Sequence, residues 1–412
     1  MDKDTMQNKI RDFIWEDIDL SKREPQFQSD PFWQALQKSG TELWLDTGDM
    51  DAAEQMWTAE MSALTTNNTL LNKEIQKGIY DEFIKQANTL LSGLSLEQRV
   101  VEIAFILNAR HGLKLVERFR GKVSVELHTD LAHDLHGIVR FGKRFHEICP
   151  DHFIIKVPLT ATGFLGARAL KDNGVPVNFT LGFSARHNYI AAVVAQPQYG
   201  NVFLGRLNSY ISDNNLGTGT NAGEKATIAS QRHLLDLRNA GKSETKQIAA
   251  SMRSGEQVRA LAGVDVFTMP TKVASEAKQT LDASEIKPRI EDELEVELAA
   301  GVDASEVKLN KAFEVSDEVK RFADSVAEEI PSSGEELVNR AHETGCGDLF
   351  PILREAEINY IAEDGKIPNH KRWKTKIQKD EIAVDTLLNL AGLASFTADQ
   401  TALDDRIKGL IS

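Results

Sequence analysis

Short apolar, β-branched runs recur along the chain and alternate with segments whose apolar residues fall at helical spacing. The runs at 42–46, 64–70, 122–127, 153–158, 175–183, 201–206, 246–253 and 264–270 read as eight strands. Most are followed by a helical pattern. Ile75, Ile79, Phe83, Ala87 and Leu90 mark one such helix, and Ser95-Leu96-Glu97-Gln98 has the form of a capping box before the next. Helices are expected near 131–149, 163–171 and 185–195, and from a Gly/Asn-rich loop at 213–223 to about 238. Eight strands alternating with helices predict a parallel sheet closed as a (β/α)8 barrel. Two further segments flank it. Residues 1–40 are polar with short helical stretches, and composition shifts near 283 to an acid-rich, helix-forming region at 284–412. Within that region helices are expected at 334–344, 349–363, 371–393 and 402–410. The stripe of Phe350, Leu353, Ile358 and Ile361 predicts that the region packs on the barrel or on a partner chain.

Active sites of such barrels lie at the C-terminal ends of the strands. Those ends carry Asp46, Asn67, Glu126, Lys156, Asn178, Thr180, Arg206, Ser251 and Arg253. Alternation along 122–127 turns Val123, Val125 and Leu127 toward the helices and Ser124 and Glu126 toward the barrel centre. Lys156 sits in the fully apolar run Phe153-Ile154-Ile155-Lys156-Val157-Pro158. Burial penalises an ammonium and favours the free amine, a nucleophile toward carbonyls. The competing reading has the lysine stem packed on the strand and its head in solvent or on a carboxylate. Asp46, in Asp-Thr-Gly-Asp, is well placed for catalysis at a strand end, but its local sequence favours a turn or capping residue. Arg206 and Arg253, with the Ser251 hydroxyl, suit a phosphate monoester, or each arginine pairs with a nearby acid.

Composition narrows the chemistry. The chain has 412 residues and a formal net charge of −14, which argues against nucleic acid or an anionic membrane as partner. No apolar run has the length of a membrane span. The two cysteines, Cys149 and Cys346, form no disulfide framework. With no leader-like segment, a cytoplasmic setting is expected. Glu126, His128, His133 and His136 are dense in metal-ligand types, but the last two fall on a helix outside the barrel, so no metal site is expected. Gly217-Thr218-Gly219-Thr220-Asn221-Ala222-Gly223-Glu224-Lys225 lacks the strand and the Gly-Lys pair of a phosphate-binding loop and reads as a helix-capping loop.

Seven motifs in order resemble the transaldolase family of Schiff-base aldolases. They are Leu45-Asp46-Thr47-Gly48-Asp49, Thr65-Thr66-Asn67, Val123-Ser124-Val125-Glu126, Ile155-Lys156, Val177-Asn178-Phe179-Thr180-Leu181, Phe203-Leu204-Gly205-Arg206 and Ala250-Ser251-Met252-Arg253. The resemblance spans about 41–275 and implies a barrel domain over 41–283. It implies that Lys156 forms the imine, that Asp46 moves the proton when the ketose C3–C4 bond breaks, and that Glu126 and Thr180 hold the catalytic water. Asn67 and Asn178 would contact hydroxyls of the dihydroxyacetone fragment. Asn201, where bacterial relatives carry serine, joins the substrate-binding set. Arg206, Ser251 and Arg253 would bind phosphate. The implied activity is the pentose phosphate pathway transfer between sedoheptulose 7-phosphate and glyceraldehyde 3-phosphate, giving erythrose 4-phosphate and fructose 6-phosphate. No cofactor is implied. The implied partners are phosphorylated sugars, with room for a homodimer. The family's fructose-6-phosphate aldolases are the nearest alternative, but they usually carry Gln where Glu126 stands and Tyr where Phe203 stands. A non-catalytic barrel with an interaction tail is the alternative from another class.

Overall fold

The computed structural model describes residues 3–22 and 25–412. Met1, Asp2, Arg23 and Glu24 of the expected N-terminal segment lie outside the described residues. Eight parallel strands close in sequence order into one barrel. They are β1 (Glu42–Asp46), β2 (Met61–Thr65), β3 (Lys122–Glu126), β4 (Phe153–Pro158), β5 (Val177–Thr180), β6 (Tyr199–Phe203), β7 (Lys246–Ala250) and β8 (Val266–Pro270). The expected (β/α)8 barrel is therefore the fold, with a helical C-terminal region beyond it. Period-two alternation sets its layers. Val123, Val125, Phe153, Ile155 and Val157 are buried under the helices. On the other face, Trp44 and Tyr199 meet edge to face inside the barrel, their rings 4.7 Å apart.

Element ends differ from the sequence expectation where polar residues take over the backbone. The run at 64–70 stops at Thr65, because Asn67 turns to cap the helix Asn68–Gln76. The helical pattern from Ile75 to Leu90 is two helices, broken at Gly78 in a left-handed conformation, and Ile79 is left 52% exposed. Leu204 and Arg206 open the helix Leu204–Asp213 instead of ending a strand. An apolar run of this length does not distinguish the two states. Gly205 allows the close approach this needs, since a Cβ there would lie 2.1 Å from the Ser251 carbonyl. β7 ends at Ala250, and Ser251 takes a left-handed conformation (φ 64°). The capping box at Ser95 is present and starts the helix Leu96–Phe119.

In the C-terminal region the helix Gly334–Glu343 forms as expected. The pattern at 371–393 divides at the left-handed Asp380. Its second half fuses with 402–410 into one 28-residue helix, Val384–Ile411. Phe350 and Ile361 are buried, but Ile358 is 56% exposed and takes no part in packing. The long helix lies across the strand ends. Asn389 Nδ2 donates to the Leu181 carbonyl (2.8 Å), just past β5, where Leu181 itself has φ 66°. Arg406 pairs with Asp81 at 2.8 Å, Asp404 faces His128 at 3.2 Å, and Thr69 bonds Asp399. At its start, buried Arg186 clasps Asp385 (2.7 and 2.8 Å) and Asp348 (2.8 Å). Burial raises the Asp385 carboxyl, but the Arg186 charge outweighs it and leaves the group well below the usual range. Among the described residues no helix is long and apolar enough to cross a membrane.

Two buried histidines set an acid limit on this fold. His111 spans Tyr80 and the Gly48 carbonyl (2.9 and 2.8 Å), and His187 lies 3.5 Å from Asp385. Burial pushes both down to about 4. The unfolded chain binds their protons near 6.5, so between about 6.5 and about 4 it holds more protons than the native state. Stability must then rise with pH through that window and fall on acidification. Denaturant midpoints measured from about pH 7 to about pH 5 are expected to fall, by roughly 2 kcal/mol per histidine at the lower end. A flat profile would show that the two imidazoles take up protons as readily in the native state as in the unfolded chain.

A second test concerns the seating of the long helix. A Cβ on Gly392 would lie 2.8 Å from Leu181 Cδ2 and 3.1 Å from Arg206 Nη1. Gly392→Val is expected to cost about 1–3 kcal/mol by overpacking, read by denaturant unfolding. An unchanged midpoint would show that the helix sits farther from β5.

Candidate active site

The interior face of β3, β4 and β5 carries one polar row. Glu126 pairs in register with Lys156, and Lys156 with Asn178. Lys156 is 3% exposed, and its ammonium donates to the Thr66 carbonyl at 2.9 Å. Strand alternation therefore turns this lysine inward, and the single backbone bond leaves its remaining valences toward the cavity above it.

That cavity, about 230 Å³, opens at the C-terminal ends of the strands. Asp46, Asn67, Lys156, Asn201, Arg206, Ser251 and Arg253 all line it. Asp46 is in register with Thr65, whose hydroxyl donates to Oδ1 at 2.7 Å. Thr65 and Thr268 hydroxyls are 2.6 Å apart. Since Thr65 spends its proton on Asp46, Thr268 must donate to Thr65. One carboxylate oxygen is thus fixed, and among the described residues no group bonds the other. Burial raises the Asp46 carboxyl, offset in part by the charge of Lys156 and by the Thr65 bond. Asn67 uses its carbonyl to cap Leu70 N–H (2.9 Å), which keeps only its amide N–H groups for a ligand.

The other predicted residues lie behind the wall. Asn178 is fully buried and donates to Ser124 Oγ at 3.0 Å while accepting from Asn201 at 3.1 Å. Among the predicted substrate contacts it is the one that the structure sets a layer deeper, beneath Asn201. Glu126 accepts from Asn68 N–H at 3.0 Å and borders a separate chamber of about 10 Å³ with His128 and Gln400. That is roughly the space of one water. Burial raises the Glu126 carboxyl against the pull of Lys156. Thr180 is fully buried and its hydroxyl has no partner among the described residues.

The opposite wall is cationic. The Arg206 guanidinium lies 5.5 Å from the rings of both Phe203 and Phe396. It is 7% exposed, and Nη1 has no partner among the described residues. Burial and neighbouring Arg253 push it down to about 10. Among the described residues no carboxylate pairs with Arg206 or Arg253, so the alternative of one acid per arginine does not describe this site. Two unpaired guanidiniums beside a serine hydroxyl make a seat for a phosphate dianion.

Sequence reasoning missed Thr65 and Thr268, although strand parity with Asp46 places both inward. It also missed Lys366 and Phe396, which reach the cavity from the C-terminal region and carry no motif. The metal-ligand types near Glu126 disperse. His128 faces Asp404, and His133 borders a cleft against the C-terminal region. Among the described residues no three His, Cys, Asp or Glu side chains converge.

The chain is similar to several proteins of known family. The transaldolase of Xanthomonas euvesicatoria pv. vesicatoria (strain 85-10) is 30% identical over 234 residues, 54% of this chain and 71% of that protein. The transaldolase of Chlamydia muridarum (strain MoPn / Nigg) is 28% identical over 277 residues, 65% of this chain and 81% of that protein. The transaldolase of Gloeobacter violaceus (strain ATCC 29082 / PCC 7421) is 27% identical over 278 residues, 65% and 69% of the two chains. The model of the transaldolase/fructose-6-phosphate aldolase family matches residues 43–330, well over half of the sequence, and the chain belongs to that family.

Proposed function

We propose that this chain is a transaldolase that moves a dihydroxyacetone unit between phosphorylated sugars through an imine on Lys156. The observation that carries this reading is the cavity itself. A buried lysine and a carboxylate bonded through one oxygen share it with two arginines that lack carboxylate partners among the described residues. The Lys156 amine adds to the ketose C2 carbonyl, and loss of water gives the protonated imine. Asp46 takes the C4 hydroxyl proton as the C3–C4 bond breaks. Its electron pair moves into the imine to form an enamine, and the aldose departs. The enamine adds to the incoming aldose carbonyl, Asp46 returns the proton, and water releases the product. Glu126 and Thr180 are assigned to that water, Asn67, Asn178 and Asn201 to the donor hydroxyls, and Arg206, Ser251 and Arg253 to the phosphate. Holding the phosphate fixes the reacting bond at a distance. Sedoheptulose 7-phosphate with glyceraldehyde 3-phosphate is the proposed pair, in the cytoplasmic pentose phosphate pathway, with the barrel over 41–283 as catalytic domain.

Borohydride reduction in the presence of fructose 6-phosphate is expected to leave a dihydroxyacetone adduct on the Lys156 peptide, located by mass. Lys156→Met is expected to abolish both adduct and turnover. An adduct on another lysine, or none on folded protein, would end the imine reading. Free dihydroxyacetone accumulating without an acceptor would instead favour the aldolase chemistry of the same family.

The raised Asp46 carboxyl places the acid limb of the kcat profile above the ordinary carboxylate range, near 4. Thr65→Val removes a bond that favours the anion, so the limb is expected to move to higher pH. A limb that stays put or moves down would show that it belongs to another group.

A further inference from the structure

The phosphate seat described above uses two arginines from the barrel. The cavity has a third cation, and it comes from outside the part of the chain that matches the family. Lys366 lines the cavity together with Arg206 and Arg253, although it lies beyond the matched residues 43–330. It follows Gly365, whose φ of 72° turns the chain at the end of the helix Glu355–Asp364.

The loop that carries it is fixed on both sides. Asp364 accepts from Trp373 Nε1 and from Asn369 N–H, each at 3.1 Å, and pairs with Arg372 at 3.1 Å. Asn214 donates to the Pro368 carbonyl at 2.9 Å and accepts from His370 N–H at 2.8 Å. The His370 ring meets the buried Tyr210 hydroxyl at 2.7 Å. Tyr210 belongs to the helix Leu204–Asp213, whose first turn carries Arg206. One rigid helix therefore sets the distance between Arg206 and the Lys366 loop. Other lysines of the C-terminal region pair with carboxylates, as Lys311 does with Asp348 and Lys376 with Glu357. Lys366 has no hydrogen-bond or ion-pair partner among the described residues.

A long, flexible cation held on a pinned loop, unpaired, and sharing a 230 Å³ cavity with two unpaired arginines has one fitting counter-charge. We infer that Lys366 is a specificity-determining residue that closes the phosphate end of the substrate cavity from its solvent side. The C-terminal region thereby completes the site for phosphorylated over unphosphorylated sugars. This rests on the proposed imine chemistry, because the phosphate is taken to be that of the donor ketose. Lys366 acts on binding and touches none of the atoms that react.

The test compares donors that differ only in the phosphate. The rate of borohydride-trapped adduct formation on Lys156 is measured with fructose 6-phosphate and with fructose, in the full chain and in its Lys366→Met and Lys366→Arg variants. The preference for the phosphorylated donor, taken as the ratio of second-order rate constants for adduct formation, is expected to fall about fivefold in Lys366→Met, mainly through a higher half-saturating concentration. It should return to within about twofold of the original in Lys366→Arg, since an accessible cation–phosphate contact depends on the charge. Using a ratio removes any common loss from poorer folding. A ratio unchanged within about twofold in Lys366→Met, with adduct present, would overturn the role of Lys366 and leave the imine reading standing. No adduct from either donor in the unaltered chain would overturn both.

Discussion

The amine proposed to attack a carbonyl has to be buried, reachable and held, and the closed barrel meets the three conditions through strand parity. Residues of β4 alternate between the helices and the centre, so the chain can surround Lys156 with Ile155 and Val157 and still turn its nitrogen inward. Register then places Glu126 and Asn178 beside it. The single bond to the Thr66 carbonyl orients the amine without neutralising it. Asp46 comes from a strand on the far side of Glu126, held by a threonine pair that fixes one oxygen. Two carboxyls raised by burial thus flank one lysine from separate chambers, and each is held by different groups. Such arrangements separate proton-transfer roles that would otherwise be competed for.

The C-terminal helix makes the second contribution, and it has a cost. Leu181 is held in a conformation that a β-branched or bulky residue rarely adopts, and its carbonyl faces the barrel mouth. Asn389 satisfies that carbonyl, and the Arg186 clasp with Asp385 and Asp348 fixes the start of the same helix. A buried clasp of this kind adds little net stability over apolar packing, but it defines one arrangement and penalises removal of either partner. Here the arrangement it defines seats Gly392 against Leu181 and Arg206, and Phe396 beside the guanidinium. The mouth of the barrel is therefore shaped by residues that follow the last strand by more than a hundred positions.

This distance explains what was legible in the sequence. Lys156, Glu126 and Asp46 could be found because period-two alternation and strand ends are local signals. Arg206 could be found as a site residue, but its helix could not be told from a strand, since Val202-Phe203-Leu204 is apolar in either state. Ser251 was legible as a residue and not as a left-handed one. Lys366 and Phe396 have no local signature at all. They belong to the site only through tertiary placement, by Asn214 and Tyr210 in one case and by the long helix in the other. The fusion of 384–411 into one helix was hidden for a related reason. It packs on different partners along its length and keeps no single apolar stripe, so nothing local joins the expected helix ending at 393 to the one starting at 402.

The charge pattern joins these strands of argument. A chain with a formal net charge of −14 has acids to spare, and its ion pairs use them freely on the surface. At the barrel mouth none is placed within pairing distance of Arg206, Arg253 or Lys366 among the described residues. Burial and then the Arg253 charge lower the basicity of Arg206, a repulsion that folding alone gives no reason to keep. Holding like charges together in a partly desolvated cavity is unfavourable for the empty protein and favourable once a dianion arrives. The negative field of the remainder would repel that dianion at long range, where salt screens it beyond about 10 Å. Selectivity must then come from contacts inside the cavity, and the number and rigidity of the cations there decide how strongly a phosphate is preferred over a hydroxyl.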